Sequence, residues 1–143
     1  MRNLFLVVLA GILFISCTKS GNSNPLIGTW MQTRSIEQYT DPYNLKTSFD
    51  TLFTGSVTVQ FVINGTYAVN KVTSGTYSVV NDSVFTMKPN NGQTPINYNF
   101  LISGNTLKTR RAGYNGEAIQ VSSPDGEFRI APVLYVFDEY VKQ

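Results

Sequence analysis

Histidine is missing from all 143 residues, and cysteine occurs once, as Cys17. Without imidazole the chain lacks the commonest general base and metal ligand. A lone thiol forms no intrachain disulfide and leaves no transition-metal ligand set. The fold must therefore be held by packing, and neither a metal nor another cofactor is expected. Charge is scarce as well: eleven Lys and Arg stand against nine Asp and Glu, a balance of +2, which is no basis for gripping a nucleic-acid backbone. None of the nine acids falls into a recognisable catalytic pair. Long apolar runs are also missing, since the one sustained run, residues 4–15, falls short of the roughly 20 residues that a bilayer-spanning helix needs. No helical period follows it.

That run is preceded by Met1, Arg2 and Asn3 and ends in Phe14, Ile15, Ser16 and Cys17. A short positive end followed by an apolar stretch has the form of a secretory signal segment. Ser16 is small enough for a peptidase site and Cys17 offers a thiol for lipid. The junction thus resembles a bacterial lipoprotein cleavage box, with Phe14 where leucine is most common. The resemblance implies removal of residues 1–16, lipidation of Cys17 with palmitate among the acyl chains, and anchorage to a membrane, because each buried methylene adds about 0.8 kcal/mol. Residues 17–25, rich in Ser, Gly and Asn, then read as a flexible tether, and residues 26–143 as one domain. With no acidic pair after the cysteine, the expected location is the cell envelope, on an outer membrane and facing the periplasm.

Beyond residue 25 the organising signal is a period of two. Val57, Val59, Phe61 and Ile63 alternate with more polar neighbours, Asn64 and Gly65 offer a two-residue type I′ turn, and Tyr67 and Val69 return on the same face. Short strands continue over residues 75–80 (Tyr77 and Val79 inward), 83–88 (Phe85 and Met87), 96–102 (Ile96, Tyr98, Phe100 and Ile102) and 106–111. Asn64 and Asn81 each begin a glycosylation sequon, yet each also fits a turn. Residues 26–37 read as the first strand and residues 38–54, punctuated by Asp41, Pro42, Tyr43 and Asn44, as a long loop. Residues 128–137 read as the closing strand, with Pro132 marking a bulge or an edge position. The expectation is an all-β, antiparallel up-and-down barrel of eight strands. A ninth candidate at residues 117–121 is set aside, because such a barrel closes antiparallel only on an even number. Ten strands, with another in residues 46–53, is the alternative.

Gly28, Thr29 and Trp30 match the Gly-X-Trp motif that opens the first strand of lipocalins, where the indole plugs the closed end of the barrel. Phe61, the Asn64 and Gly65 turn and Tyr67 resemble the second hairpin of lipocalin-like bacterial lipoproteins. The chain therefore resembles a lipocalin-like bacterial lipoprotein, and the resemblance implies a lipocalin-like barrel with a binding role. No helical period stands where the lipocalins proper carry a C-terminal helix, and no residue is assigned to their late arginine over the tryptophan.

An eight-stranded barrel has an interior that side chains fill or that holds one small ligand, and the sequence leaves both open. Phe61, Tyr67, Tyr77, Phe85, Tyr98, Phe100 and Tyr135 are expected on inward faces, and Arg111 follows Leu107 inward while Lys108 and Arg110 point out. Tyrosine presents an apolar body with a hydroxyl that wants a partner, which suits an amphipathic ligand. Arg111 offers a grip on a carboxylate head group or is a solvated strand end. These eight residues form the candidate pocket. The leading expectation is a non-enzymatic, membrane-tethered binding protein for a small hydrophobic or amphipathic ligand. The second is a structural or interaction lipoprotein with a filled barrel, whose loops at residues 38–54 and 112–126 contact a cell-envelope protein.

Overall fold

The computed structural model describes residues 24–52, 57–114 and 116–143. The signal segment, the cleavage box, Cys17 and most of the tether lie outside the described residues. Among those described, all regular structure is strand: β1 (Gly28–Thr40), β2 (Thr47–Leu52), β3 (Thr58–Phe61), β4 (Thr66–Val69), β5 (Val72–Asn81), β6 (Val84–Pro89), β7 (Ile96–Ser103), β8 (Thr106–Ala112), β9 (Ala118–Ser122) and β10 (Phe128–Lys142). Eight of them close a ring, in the order β1, β3, β4, β5, β6, β7, β8, β10 and back to β1, every neighbour antiparallel. β2 adds to β1 and β9 adds to β10 outside that closure. The barrel is therefore eight-stranded, as expected, and the ten-stranded barrel is not found, the two further strands among the described residues lying outside the closure.

The two supernumerary strands follow from strand length. At roughly 3.3 Å per residue, 13-residue β1 and 15-residue β10 run about 40–50 Å, against about 13 Å for four-residue β3 and β4. Residues 28–31 of β1 pair with β3, and residues 35–40 pair with β2. Likewise residues 135–141 of β10 pair with β8, while residues 128–132 pair with β9. The overhang beyond the barrel needs these partners for its backbone groups. Residues 38–54 thus form mostly a hairpin rather than the expected loop, and the strand set aside at 117–121 is real. The tips of the two hairpins meet, with the Tyr43 hydroxyl donating to Glu127 O at 2.8 Å and the Arg129 guanidinium 4.6 Å from the Tyr43 ring centre.

The opposite end is shut. Trp30 is 0 % exposed, its Nε1 donates to Leu26 O at 2.8 Å, and Lys142 Nζ lies 5.3 Å from its ring centre. Lysine thus covers the indole, in the place where no residue was assigned. Asn24 Nδ2 donates to the Tyr77 hydroxyl, which donates in turn to Val62 O, so the start of the domain is fastened across the plug. Above it lies a core of Val59, Phe61, Tyr67, Tyr77, Phe85, Phe100 and Leu107.

Alternation holds where the strands are regular and fails at their irregularities. The β3–β4 turn is one residue longer than the two-residue type I′ form. Gly65 N donates to Val62 O, Val62 N donates to Thr66 O, and only Gly65 has positive φ, at 82°. This is a type I turn followed by a left-handed glycine, which puts Ile63 at its tip, 84 % exposed, rather than inward. Asn64 Oδ1 accepts from both the amide and the hydroxyl of Thr66, and Asn81 Oδ1 does the same for Ser83. Both sequon-like triplets are accounted for as turns. Val79, expected inward, is exposed where β5 shifts register against β6.

Two bulges in the long strands matter more. In β1 the register shifts between Gln32 and Arg34, so Thr33 is the extra residue and its hydroxyl donates to Glu139 O. In β10 it shifts between Val133 and Tyr135, which makes Leu134 extra. A bulge turns every later side chain to the other face. Tyr135, expected to line the interior, is consequently outside and 40 % exposed, under the Arg110 guanidinium. The inward set past the bulge is Val136, Asp138 and Tyr140 instead. Gly113 admits the second bulge: its N–H donates to Leu134 O, and a Cβ there would lie 2.0 Å from Val133 O.

Candidate functional site

Five of the eight residues expected in the pocket, Phe61, Tyr67, Tyr77, Phe85 and Phe100, are buried in the barrel core, and Tyr98 packs against them. Their rings lock together. Phe61 meets Tyr77 and Phe85 edge-on, Phe85 meets Phe100 edge-on, and Phe85 stacks on Tyr98 with ring centres 5.0 Å apart. Most of this payload is core, held by the geometry aromatic pairs favour. A cavity of about 180 Å³ remains, lined by Val57, Val59, Phe61, Val69, Phe85, Met87, Tyr98, Leu107 and Tyr140. Phe61, Phe85 and Tyr98 of the expected set therefore reach it, whereas Tyr67, Tyr77 and Phe100 do not line it. A larger space of about 820 Å³ lies between residues 92–97 and 112–114. It is a wide, solvent-open depression walled by loops with no charged side chain, and it offers less to hold a ligand in place.

Toward the overhang, the wall formed by β1, β10 and β8 turns polar. Asp138 is 7 % exposed, and its Oδ1 accepts hydrogen bonds from Gln32 Nε2 at 2.7 Å and Ser35 Oγ at 2.6 Å. The Thr33 bulge makes this possible, because it turns both Gln32 and Ser35 inward and leaves Arg34 outside. Burial raises the Asp138 carboxyl above the usual range, while its two donors and Arg111 pull it back. Across the strand from Asp138 stands Thr109, 6 % exposed, whose hydroxyl has no hydrogen-bond partner among the described residues.

Arg111 does point inward after Leu107 and Thr109, but its guanidinium is not free. It is held bidentately by Glu117, at 2.7 and 2.8 Å, and it lies 4.2 Å from the Tyr114 ring centre. Burial alone would lower the Arg111 pKa; the hydrogen bonds and charge of Glu117 reverse this and raise it. Arg111 holds Glu117 below its ordinary value. Glu37 on β1 is raised, first by burial and then by repulsion from Glu117, Asp50 and Asp138. Desolvation also raises Tyr98 and Tyr140, so both hydroxyls stay protonated.

The interior is thus two-sided, with an apolar and aromatic wall from β3 to β7 and a polar wall on β1, β8 and β10. Asp138, Gln32, Ser35, Glu37, Thr109 and Tyr140 escaped sequence reasoning. For Thr109 the signal was present, since it lies between Leu107 and Arg111 on the inward face. For the β1 and β10 residues it was scrambled by the bulges.

Residues 26–109 match the family model for a lipocalin-like domain, a stretch that runs from the plug to Thr109 and takes in six of the eight barrel strands whole and the first four residues of β8. No curated protein and no solved structure matches the chain.

Proposed function

The chain belongs to the lipocalin-like family, whose barrel is a small-ligand-binding fold and whose members in general bind rather than catalyse, and from that premise we propose that it is a non-enzymatic, membrane-tethered binding lipoprotein for a small hydrophobic or amphipathic molecule. The cavity of about 180 Å³ carries this reading, because it combines an apolar lining with two tyrosines, Tyr98 and Tyr140. A dry cavity of roughly 150 Å³ accommodates benzene, so the ligand that fits is about one ring in size. A long acyl chain does not fit without displacing the aromatic core. Anchorage belongs to the same proposal: Cys17 carries the lipid and holds the domain on the outer membrane, facing the periplasm.

Calorimetric titration of the full-length protein with phenol, a neutral one-ring ligand, tests the binding role. Saturable binding is expected, with loss of at least tenfold in affinity when Val69→Phe fills the cavity at unchanged far-ultraviolet circular dichroism. No saturable binding, or equal binding by Val69→Phe, overturns it.

A second reading is favoured by a different observation. Phe49, Phe128 and Ile130 are exposed on the overhang, which is the kind of surface that meets a partner protein. In that reading the barrel is a filled scaffold and the overhang contacts a cell-envelope protein. Crosslinking in intact cells to one defined envelope protein, lost in Phe128→Ser with Ile130→Ser at unchanged far-ultraviolet circular dichroism, while phenol shows no saturable binding to the wild type, would favour it.

A further inference from the structure

We propose that the barrel selects ligands bearing a basic nitrogen: a one-ring or short-chain amine whose ammonium sits on Asp138 and whose apolar body fills the cavity beneath. This rests on the binding reading above and specifies its ligand class.

The charge inventory of the interior points this way. Glu37, Glu117 and Asp138 act on one another there, Asp50 on β2 adds its charge to Glu37, and among the described residues Arg111 is the one cation beside them. Arg111 is already matched by Glu117 through two short hydrogen bonds. The other cations of β1 and β8 are turned away, Arg34, Lys108 and Arg110 being exposed, and Lys142 is over Trp30 at the shut end. Of the residues outside those described, 53–56 and 115 carry no charge, and the cations Arg2 and Lys19 belong to the signal segment and tether. A carboxylate entering this space meets two unmatched acids, whereas an ammonium meets a counter-charge in a low-dielectric setting, where opposite charges attract most strongly.

Asp138 is also built as a receptor. Gln32 and Ser35 both donate to Oδ1, and among the described residues no donor reaches Oδ2. Across the strand the Thr109 hydroxyl is buried with no hydrogen bond of good geometry among the described residues, the Tyr140 hydroxyl being its polar neighbour, and buried polar groups so weakly satisfied are uncommon. An ammonium has three donors; Asp138 Oδ2 and Thr109 Oγ1 supply two acceptors. Distance agrees with this. Asp138 stands two residues from Tyr140, and Thr109 two residues from Leu107, both of which line the cavity. Two residues of strand rise about 7 Å, close to the reach from ammonium to ring centre of a phenylalkylamine with a three-carbon chain.

The test compares three ligands of one shape, 3-phenylpropylamine, 3-phenylpropan-1-ol and 4-phenylbutanoate, by calorimetric titration of the full-length protein in nanodiscs of zwitterionic lipid. The amine is expected to bind at least tenfold more tightly than the alcohol, and the carboxylate most weakly. Asp138→Asn should bring the amine to the affinity of the alcohol and leave the alcohol unchanged. Should that variant lose its fold, Glu117→Gln serves in its place: it releases Arg111 and should narrow the gap between carboxylate and amine at least tenfold. A carboxylate that binds as tightly as the amine overturns the proposal, as does an amine affinity that neither variant moves. If the alcohol and phenol bind without any advantage for the amine, this proposal falls and the binding reading stands. If none of the ligands binds, both fall.

Discussion

Asp138 places a carboxylate where burial disfavours its charge, and its pKa is raised for that reason. A raised native value means that the folded state holds the proton more tightly than the unfolded one. The stabilising contribution is therefore full below the ordinary aspartate range, about 3.9, and is lost as pH rises through the native value. Asn keeps the oxygen that Gln32 and Ser35 donate to and carries no charge. Asp138→Asn is therefore expected to match the wild type in stability at acid pH and to exceed it at pH 7, by on the order of 1 kcal/mol. Urea denaturation at both pH values checks this, and a variant that is less stable at pH 7 contradicts it. The difference between the two proteins isolates Asp138, because Glu117, whose lowered pKa contributes stability above the ordinary glutamate range that is lost as pH falls through its native value, is common to both. Glu37, raised like Asp138, is common to both as well. The same carboxylate thus lowers stability and, on the reading above, confers selectivity.

The bulges in β1 and β10 decide which side chains share the interior. Between irregularities the period of two was legible: Val59 and Phe61, Phe85 and Met87, Leu107, Thr109 and Arg111 face as an alternating pattern requires. Thr33 and Leu134 carry no mark of their own in the sequence, because a bulge is fixed by what two strands do together rather than by the residue inserted. Pro132 flagged its neighbourhood, yet the extra residue is Leu134, two positions on, and that displacement sent Tyr135 outward and Asp138 inward. Length misled in a related way, since residues 47–52 and 118–122 carry only a short pattern and become strands because β1 and β10 overrun the barrel and expose edges. Gly113 gives this scale its own test. A methyl group there would strike the Val133 carbonyl, so Gly113→Ala should cost about 1–3 kcal/mol, the usual range for overpacking. It should also disturb the Tyr135 environment, read as a shift of the Arg110 and Tyr135 resonances in NMR spectra. A silent substitution would mean that the bulge does not depend on the close approach.

For the whole molecule, the family match ends at Thr109, so β10 and with it Asp138 and Tyr140 lie beyond the matched stretch. The shared part supplies the aromatic wall, and the unmatched part supplies the acid. Anchorage is tested at this scale too. Cys17→Ser should abolish incorporation of labelled palmitate and release the protein from sedimented membranes, and persistence of both in the variant would dispose of the anchor. Asn24 is fastened to Tyr77 across the plug, and residues 17–24 reach at most about 25 Å even when drawn straight. If Cys17 carries the proposed lipid, a leash this short attached beneath the floor would leave the doorway of the vessel turned from the bilayer, and cargo would be gathered from the surrounding water.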